Sequence, residues 1–139
     1  MVSRVIPVQA FDLVVFGGTG DLAKRKILPS LFRRFVAGQM PNDAFVIGVA
    51  RSELDTKSYQ DLVVSALKEF EPELVASAEL EIFIKQIKYV QIDAQGDFGW
   101  SDLADKVRKN AIQAFYFSVS PSLFGQLAEK LHQYSIASQ

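Results

Sequence analysis

The segment Gly18-Thr19-Gly20-Asp21-Leu22-Ala23 has the spacing G-x-G-x-x-A, and it follows the apolar run Phe11–Phe16 and precedes a stretch of helical periodicity. That setting suits a nucleotide pyrophosphate. A tight turn needs glycine for its backbone angles, the phosphates need backbone approach without a Cβ in the way, and the helix start offers free amides and the positive end of a dipole. The loop residues Gly17, Gly18, Thr19, Gly20, Asp21, Leu22, Ala23 and Lys24 are therefore the candidate coenzyme-binding set. A glycine turn that simply ends a strand is the structural alternative. A phosphate loop of the nucleotide-hydrolysing type is disfavoured, because Gly20 is followed by Asp21-Leu22 rather than lysine and a hydroxyl residue.

A second apolar run, Phe45-Val46-Ile47-Gly48-Val49, ends at Ala50-Arg51-Ser52. An NAD enzyme usually carries an acidic residue there to hold the ribose hydroxyls. Arg51 suits a 2′-phosphate instead, by charge and by bidentate geometry, which points to NADP; a solvated surface arginine is the other reading. Asp93 and Ala94, after a third apolar run, are placed near the adenosine end by position alone. Lys24, Arg25 and Lys26 put three cations in the first turns of a helix, which its dipole disfavours unless anions are close. His132, the single histidine, lies off an apolar stripe and reads as a surface residue.

The elements that must position these groups alternate. Strands are expected over 11–16, 44–50, 88–92 and 111–119, and helices over 22–36, 55–70, 72–85 and 101–109, with a last helix opening at Ser120-Pro121. Pro29 interrupts the first helical stripe, predicting a kink or a short helix followed by a longer one. Buried parallel strands alternating with helices specify an α/β fold, a doubly wound Rossmann-type parallel sheet with helices on both faces. One domain is expected over 11–139, after an N-terminal extension of residues 1–10.

Composition narrows the function classes. A formal net charge of −1 implies no general attraction to nucleic acid or anionic lipid. With no cysteine and one histidine there is no basis for a thiolate nucleophile, a disulfide or a metal cluster. No run suits a signal peptide or a membrane span, so a cytoplasmic protein is expected.

The string Phe16-Gly17-Gly18-Thr19-Gly20-Asp21-Leu22-Ala23-Lys24-Arg25-Lys26-Ile27-Leu28-Pro29 closely resembles the coenzyme loop and first helix of the glucose-6-phosphate dehydrogenases, proline included. Ile47-Gly48-Val49-Ala50-Arg51-Ser52 resembles that family's second strand with its phosphate-reading arginine. Phe115-Tyr116-Phe117-Ser118-Val119-Ser120-Pro121-Ser122-Leu123-Phe124 resembles its strand and turn beside the nicotinamide. The resemblance implies an oxidoreductase that passes a hydride from glucose 6-phosphate to NADP in the pentose phosphate pathway, and it implies that Lys26 reaches toward the sugar phosphate.

Family members continue into a strand ending in glutamate-lysine-proline, a catalytic segment containing histidine-tyrosine-leucine-glycine-lysine, and a large antiparallel-sheet domain that forms dimers. These motifs are absent from the 139 residues, so no catalytic residue is assigned. The chain is expected to be a truncated coenzyme domain, inactive alone, whose strand at 111–119 offers an open apolar edge for self-association. A stand-alone NADP-binding module without catalysis fits the same residues. A short-chain reductase or epimerase fits poorly, because Tyr59, Tyr89, Tyr116 and Tyr134 are followed four positions later by Val63, Asp93, Ser120 and Ser138, none of them lysine.

Overall fold

The computed structural model describes residues 11–40, 43–93, 96–109 and 111–136. The extension at 1–10 and Ala94 lie outside the described residues. Four strands, β1 (Phe11–Phe16), β2 (Ala44–Ala50), β3 (Ile87–Gln91) and β4 (Ile112–Phe117), form one sheet in the order β3-β2-β1-β4, and every pairing is parallel. The strands are apolar runs because helices cover both faces. One core unites Val15, Val46, Phe32, Val63, Leu67 and Phe83 under α1 (Leu28–Val36), α2 (Thr56–Phe70) and α3 (Glu79–Lys85). The other unites Val14, Ile47, Val90, Trp100, Leu103 and Leu127 under α4 (Trp100–Lys106) and α5 (Phe124–Gln133). The expected doubly wound architecture is therefore present, with four strands among the described residues.

Pro29 is accommodated in the second of the two expected ways, a short helical segment followed by a longer one, and the short segment is π-helical. The helical run widens into a π-helical turn over Ala23–Ile27, where the Leu28 amide donates to the Ala23 carbonyl, and continues as α1 with Pro29 in its first turn. Proline has no amide to give, and its ring would crowd the carbonyl four residues back; a wider turn relieves both problems. α2 begins at Thr56, where Asp55 caps it by accepting from the Ser58 amide at 2.7 Å.

Several boundaries differ from expectation. The stretch 72–85 is not one helix: a 3-10 turn, Leu74–Ala76, is closed by the Ser77 hydroxyl donating to the Leu74 carbonyl at 2.7 Å, and α3 starts afresh at Glu79. α4 stops at Lys106 rather than 109 because the Arg108 amide donates to the Asp12 carboxylate at 2.8 Å instead of continuing the helix. The last helix opens as a 3-10 turn, Pro121–Leu123, with Ser120 accepting from the Ser122 amide, before α5 begins. β3 is one residue earlier than expected, and β4 ends at Phe117, although the Ser118 amide still donates to the Phe16 carbonyl at 2.8 Å.

The lower end of the sheet is held by one ion cluster. Asp12, fully buried in β1, accepts two guanidinium nitrogens of Arg108, Nη2 at 2.7 Å and Nε at 3.1 Å. Arg108 also pairs with Asp43 and lies over the Phe45 ring, 4.4 Å from its centroid. A buried carboxylate without such a partner would be strongly destabilising.

Candidate functional site

β1 delivers Gly17 and Thr19 to the carboxyl end of the sheet, at the point where the chain order reverses: β2 lies on one side of β1 and β4 on the other. Open parallel sheets bind ligands in the crevice at such a switch point. A cleft of about 680 Å³ lies there, within the range of roughly 300–1,000 Å³ common for small-molecule sites. The four strand ends contribute Phe16 and Gly17, Val49 to Ser52, Ile92 and Asp93, and Val119 and Ser120; Thr19, Leu123 and Leu127 complete the wall.

Four of the sequence-predicted residues therefore meet in one cavity: Gly17, Thr19, Arg51 and Asp93. Gly17 has φ +81°, and a Cβ there would sit 2.1 Å from the Ser118 carbonyl oxygen, so any side chain would break the contact between the loop and the end of β4. Gly18 lies behind the wall, against Gly48 and the Tyr59 hydroxyl. Gly20 closes the turn, its amide donating to the Gly17 carbonyl at 2.9 Å. Asp21 and Leu22 are exposed at the helix start, and Ala23 is fully buried, letting the helix pack closely on the sheet. The Thr19 amide makes no hydrogen bond to another described residue, which leaves a donor at the cleft wall.

The basic triplet is divided. Arg25 has its anion within the chain, Asp21, at 2.9 Å, and rests over the Phe70 ring. Lys24 is half-buried on the same helical turn and does not line the cleft. Lys26 lines a separate cleft of about 530 Å³ beside β4 together with Arg25, with Leu13, Ser30, Arg33 and Tyr116 among its neighbours. His132 is exposed on α5.

Arg51 stands exposed at the end of β2, its guanidinium without an ion pair or hydrogen bond to another described residue. Its backbone is held firmly. Gln91 donates to the Arg51 carbonyl at 3.0 Å, and the Tyr89 hydroxyl reaches the carbonyls of Ala50 and Ser52 at 3.1 and 2.6 Å. Beside it, Asp93 anchors the next loop: its carbonyl accepts from the Trp100 indole at 3.3 Å.

Sequence reasoning weighed Tyr59 and Tyr89 as the tyrosine of a reductase's proton relay and missed them as supports of the site. The available signal was Gly48: a glycine inside a buried strand marks a place where another group comes close. Among the described residues no group of three or more His, Cys, Asp or Glu side chains could hold a metal ion, and no helix is long and apolar enough to cross a membrane.

A cleft with apolar walls, a loop amide and an arginine guanidinium that bond no other described residue can hold a phosphorylated, partly aromatic ligand. Residues 14–139 match the family model described as glucose-6-phosphate dehydrogenase, NAD binding domain. The glucose-6-phosphate 1-dehydrogenase of Rhizobium meliloti (strain 1021) is 40% identical over 139 residues, covering 98% of this chain and 28% of that protein. The enzyme of the same name from Leuconostoc mesenteroides is 33% identical, covering 94% of this chain and 27% of its own length. A solved structure of glucose-6-phosphate dehydrogenase in complex with its substrate glucose-6-phosphate superposes with a TM-score of 0.80 at 24% identity, over 100% of this chain and 30% of that one. The chain thus spans somewhat over a quarter of the length of these relatives.

Proposed function

Because the chain belongs to the glucose-6-phosphate dehydrogenase family, over the part described as its NAD binding domain, we propose that it is the NADP-binding portion of an oxidoreductase acting on glucose 6-phosphate. The observation that carries the reading is the convergence of the glycine loop and Arg51, whose guanidinium pairs with no other described residue, on one cleft at the switch point of the sheet. The residues fit the coenzyme. The Thr19 amide and the helix start suit a pyrophosphate, and Arg51 suits a 2′-phosphate, for which an acidic residue would be repulsive.

Each residue has a defined task in this reading. Gly17 and Gly18 hold the loop against the strands, Gly20 admits the pyrophosphate, Asp21, Leu22 and Lys24 form the first turn around it, and Ala23 seats the helix on the sheet. Arg51 selects NADP, while Asp93 borders the adenosine. The coenzyme, when bound, supplies a hydride acceptor; this chain's residues bind and orient it, and no catalytic residue is assigned among them. Lys26, in its separate cleft beside β4, is assigned to the sugar phosphate in the complete enzyme. Loss of Lys26 by Lys26→Ala there should raise KM for glucose 6-phosphate, and unchanged KM and turnover would refute the assignment. A cytoplasmic role in the pentose phosphate pathway belongs to the same proposal, as does the domain assignment of 11–139.

The test is a titration of isotopically labelled protein with NADP, followed by amide resonances. Shifts concentrated at Thr19, Arg51, Ser52 and Asp93 are expected. Shifts confined to other surfaces, or none at saturating coenzyme, would refute the reading.

A further inference from the structure

Both halves of the cleft rest on tyrosine hydroxyls from the same buried pair. Tyr59 comes from α2 and Tyr89 from β3; their ring centroids are 5.0 Å apart, and both residues are buried. Tyr59 reaches the sheet only because Gly48 has no side chain: a Cβ there would lie 2.3 Å from the ring carbon that carries the hydroxyl. The hydroxyl donates to the Gly18 carbonyl at 2.9 Å. Burial raises the Tyr59 hydroxyl well above its ordinary range and pushes that of Tyr89 up to about 12, so each remains a protonated donor at neutral pH.

The consequence for the loop follows from peptide geometry. All described peptide bonds are trans, and in a trans peptide the carbonyl of one residue and the amide of the next point in opposite directions. With the Gly18 carbonyl drawn inward to Tyr59, the Thr19 N–H is turned outward, at the cleft wall, and it makes no hydrogen bond to another described residue. The preceding peptide is fixed as well, its Gly18 amide donating to the Val49 carbonyl at 3.0 Å, so Gly18 is held on both sides.

The other half is built in the same way. One Tyr89 hydroxyl lies within reach of the carbonyls on either side of Arg51, and Gln91 takes the Arg51 carbonyl itself. The hydroxyl's one hydrogen favours the nearer Ser52 carbonyl, so the Arg51 and Ser52 carbonyls are tied to β3, and the Arg51 side chain springs from a fixed backbone rather than a free loop. Pre-set geometry of this kind reduces the ordering cost of binding.

We propose that Tyr59 and Tyr89 are positioning residues for the dinucleotide: Tyr59 sets the Thr19 amide for the pyrophosphate, and Tyr89 sets Arg51 for the 2′-phosphate. The proposal rests on the coenzyme reading above and assigns each tyrosine to a different part of the ligand. Phenylalanine at either position keeps the ring packing and removes the hydroxyl alone.

The experiment compares wild-type chain with Tyr59→Phe and Tyr89→Phe for binding of NADP, NAD and adenosine 2′-monophosphate, which has no pyrophosphate. Tyr59→Phe should weaken NADP and NAD alike, each roughly tenfold, and spare adenosine 2′-monophosphate. Tyr89→Phe should weaken NADP and adenosine 2′-monophosphate by roughly three- to tenfold and spare NAD. Equal loss of all three ligands in either variant, or no loss in either, would overturn the proposal, since a purely structural role does not distinguish parts of the ligand. Wild-type chain that binds none of the three would defeat the underlying coenzyme reading instead. Should Tyr59→Phe fail to fold, hydrogen exchange in the wild type decides that arm: the Thr19 amide should exchange freely alone and be protected by NADP, and exchange that NADP leaves unchanged overturns it. For the other arm Gln91→Leu, which unties only the Arg51 carbonyl, should reproduce the Tyr89→Phe pattern, and wild-type discrimination between NADP and NAD in that variant overturns it.

Discussion

Replacing Arg51 by alanine isolates the step that separates NADP from NAD. The side chain is exposed and its guanidinium holds no other described residue, so Arg51→Ala removes nothing the fold depends on; the ties to Gln91 and Tyr89 are made by backbone carbonyls and survive. A charge-assisted hydrogen bond to a phosphate is worth about 1.5–3 kcal/mol. At about 1.4 kcal/mol per decade this becomes a loss of roughly ten- to a hundredfold in NADP affinity. NAD has no 2′-phosphate and should lose far less. Isothermal calorimetry with both coenzymes, at two salt concentrations, gives the comparison. The difference between them should shrink as salt rises, because charges at an open site are screened over about 8 Å at physiological ionic strength. Equal weakening of NADP and NAD, with an unchanged melting temperature, would show that Arg51 does not read the 2′-phosphate.

Three further outcomes follow from the same structure. Gly20→Val should keep helix content while abolishing NADP binding, since a Cβ there meets only the Gly17 carbonyl at 3.2 Å; Gly17→Ala, whose Cβ would sit 2.1 Å from the Ser118 carbonyl, should lower thermal stability as well, and circular dichroism with coenzyme titration separates the two. Arg108→Ala strands the buried Asp12 carboxylate and should cost about 3 kcal/mol in urea unfolding, while Arg108→Lys should recover only part of it, because lysine keeps the charge but not the paired donors. β4 lies at the edge of the described sheet with Ile112 and Tyr116 exposed, so the chain should self-associate, and Tyr116→Lys should reduce light scattering; equal scattering from both proteins would exclude that edge.

The first strand, its glycine turn and Arg51 were legible in the sequence because each depends on local chemistry: an apolar run, a backbone that tolerates no Cβ, and a cation at the end of the next strand. The parallel sheet with two helical layers was legible from the alternation alone. What escaped depended on contacts distant in sequence. Arg108 ends α4 by turning to Asp12, ninety-six residues away, and no helix signal near residue 108 announces it. The π-helical turn before Pro29 is one of several solutions to a missing amide, and the choice among them is made by packing. Tyr59 and Tyr89 lie on apolar stripes where a core tyrosine and a site-supporting tyrosine look the same until their hydroxyls find their carbonyls. The triplet at 24–26 looked like one basic patch on the coenzyme loop, yet the helix turns Arg25, paired with Asp21, and Lys26 together toward a different cleft.

The central claim, that the cleft at the carboxyl end of the sheet is an NADP site, is tested most directly by calorimetric titration of the purified chain with NADP and, separately, NAD. Saturable one-to-one binding of NADP, tighter than that of NAD by at least roughly tenfold, is the predicted result. Absence of heat and of saturation with both coenzymes, or a preference for NAD, would contradict it.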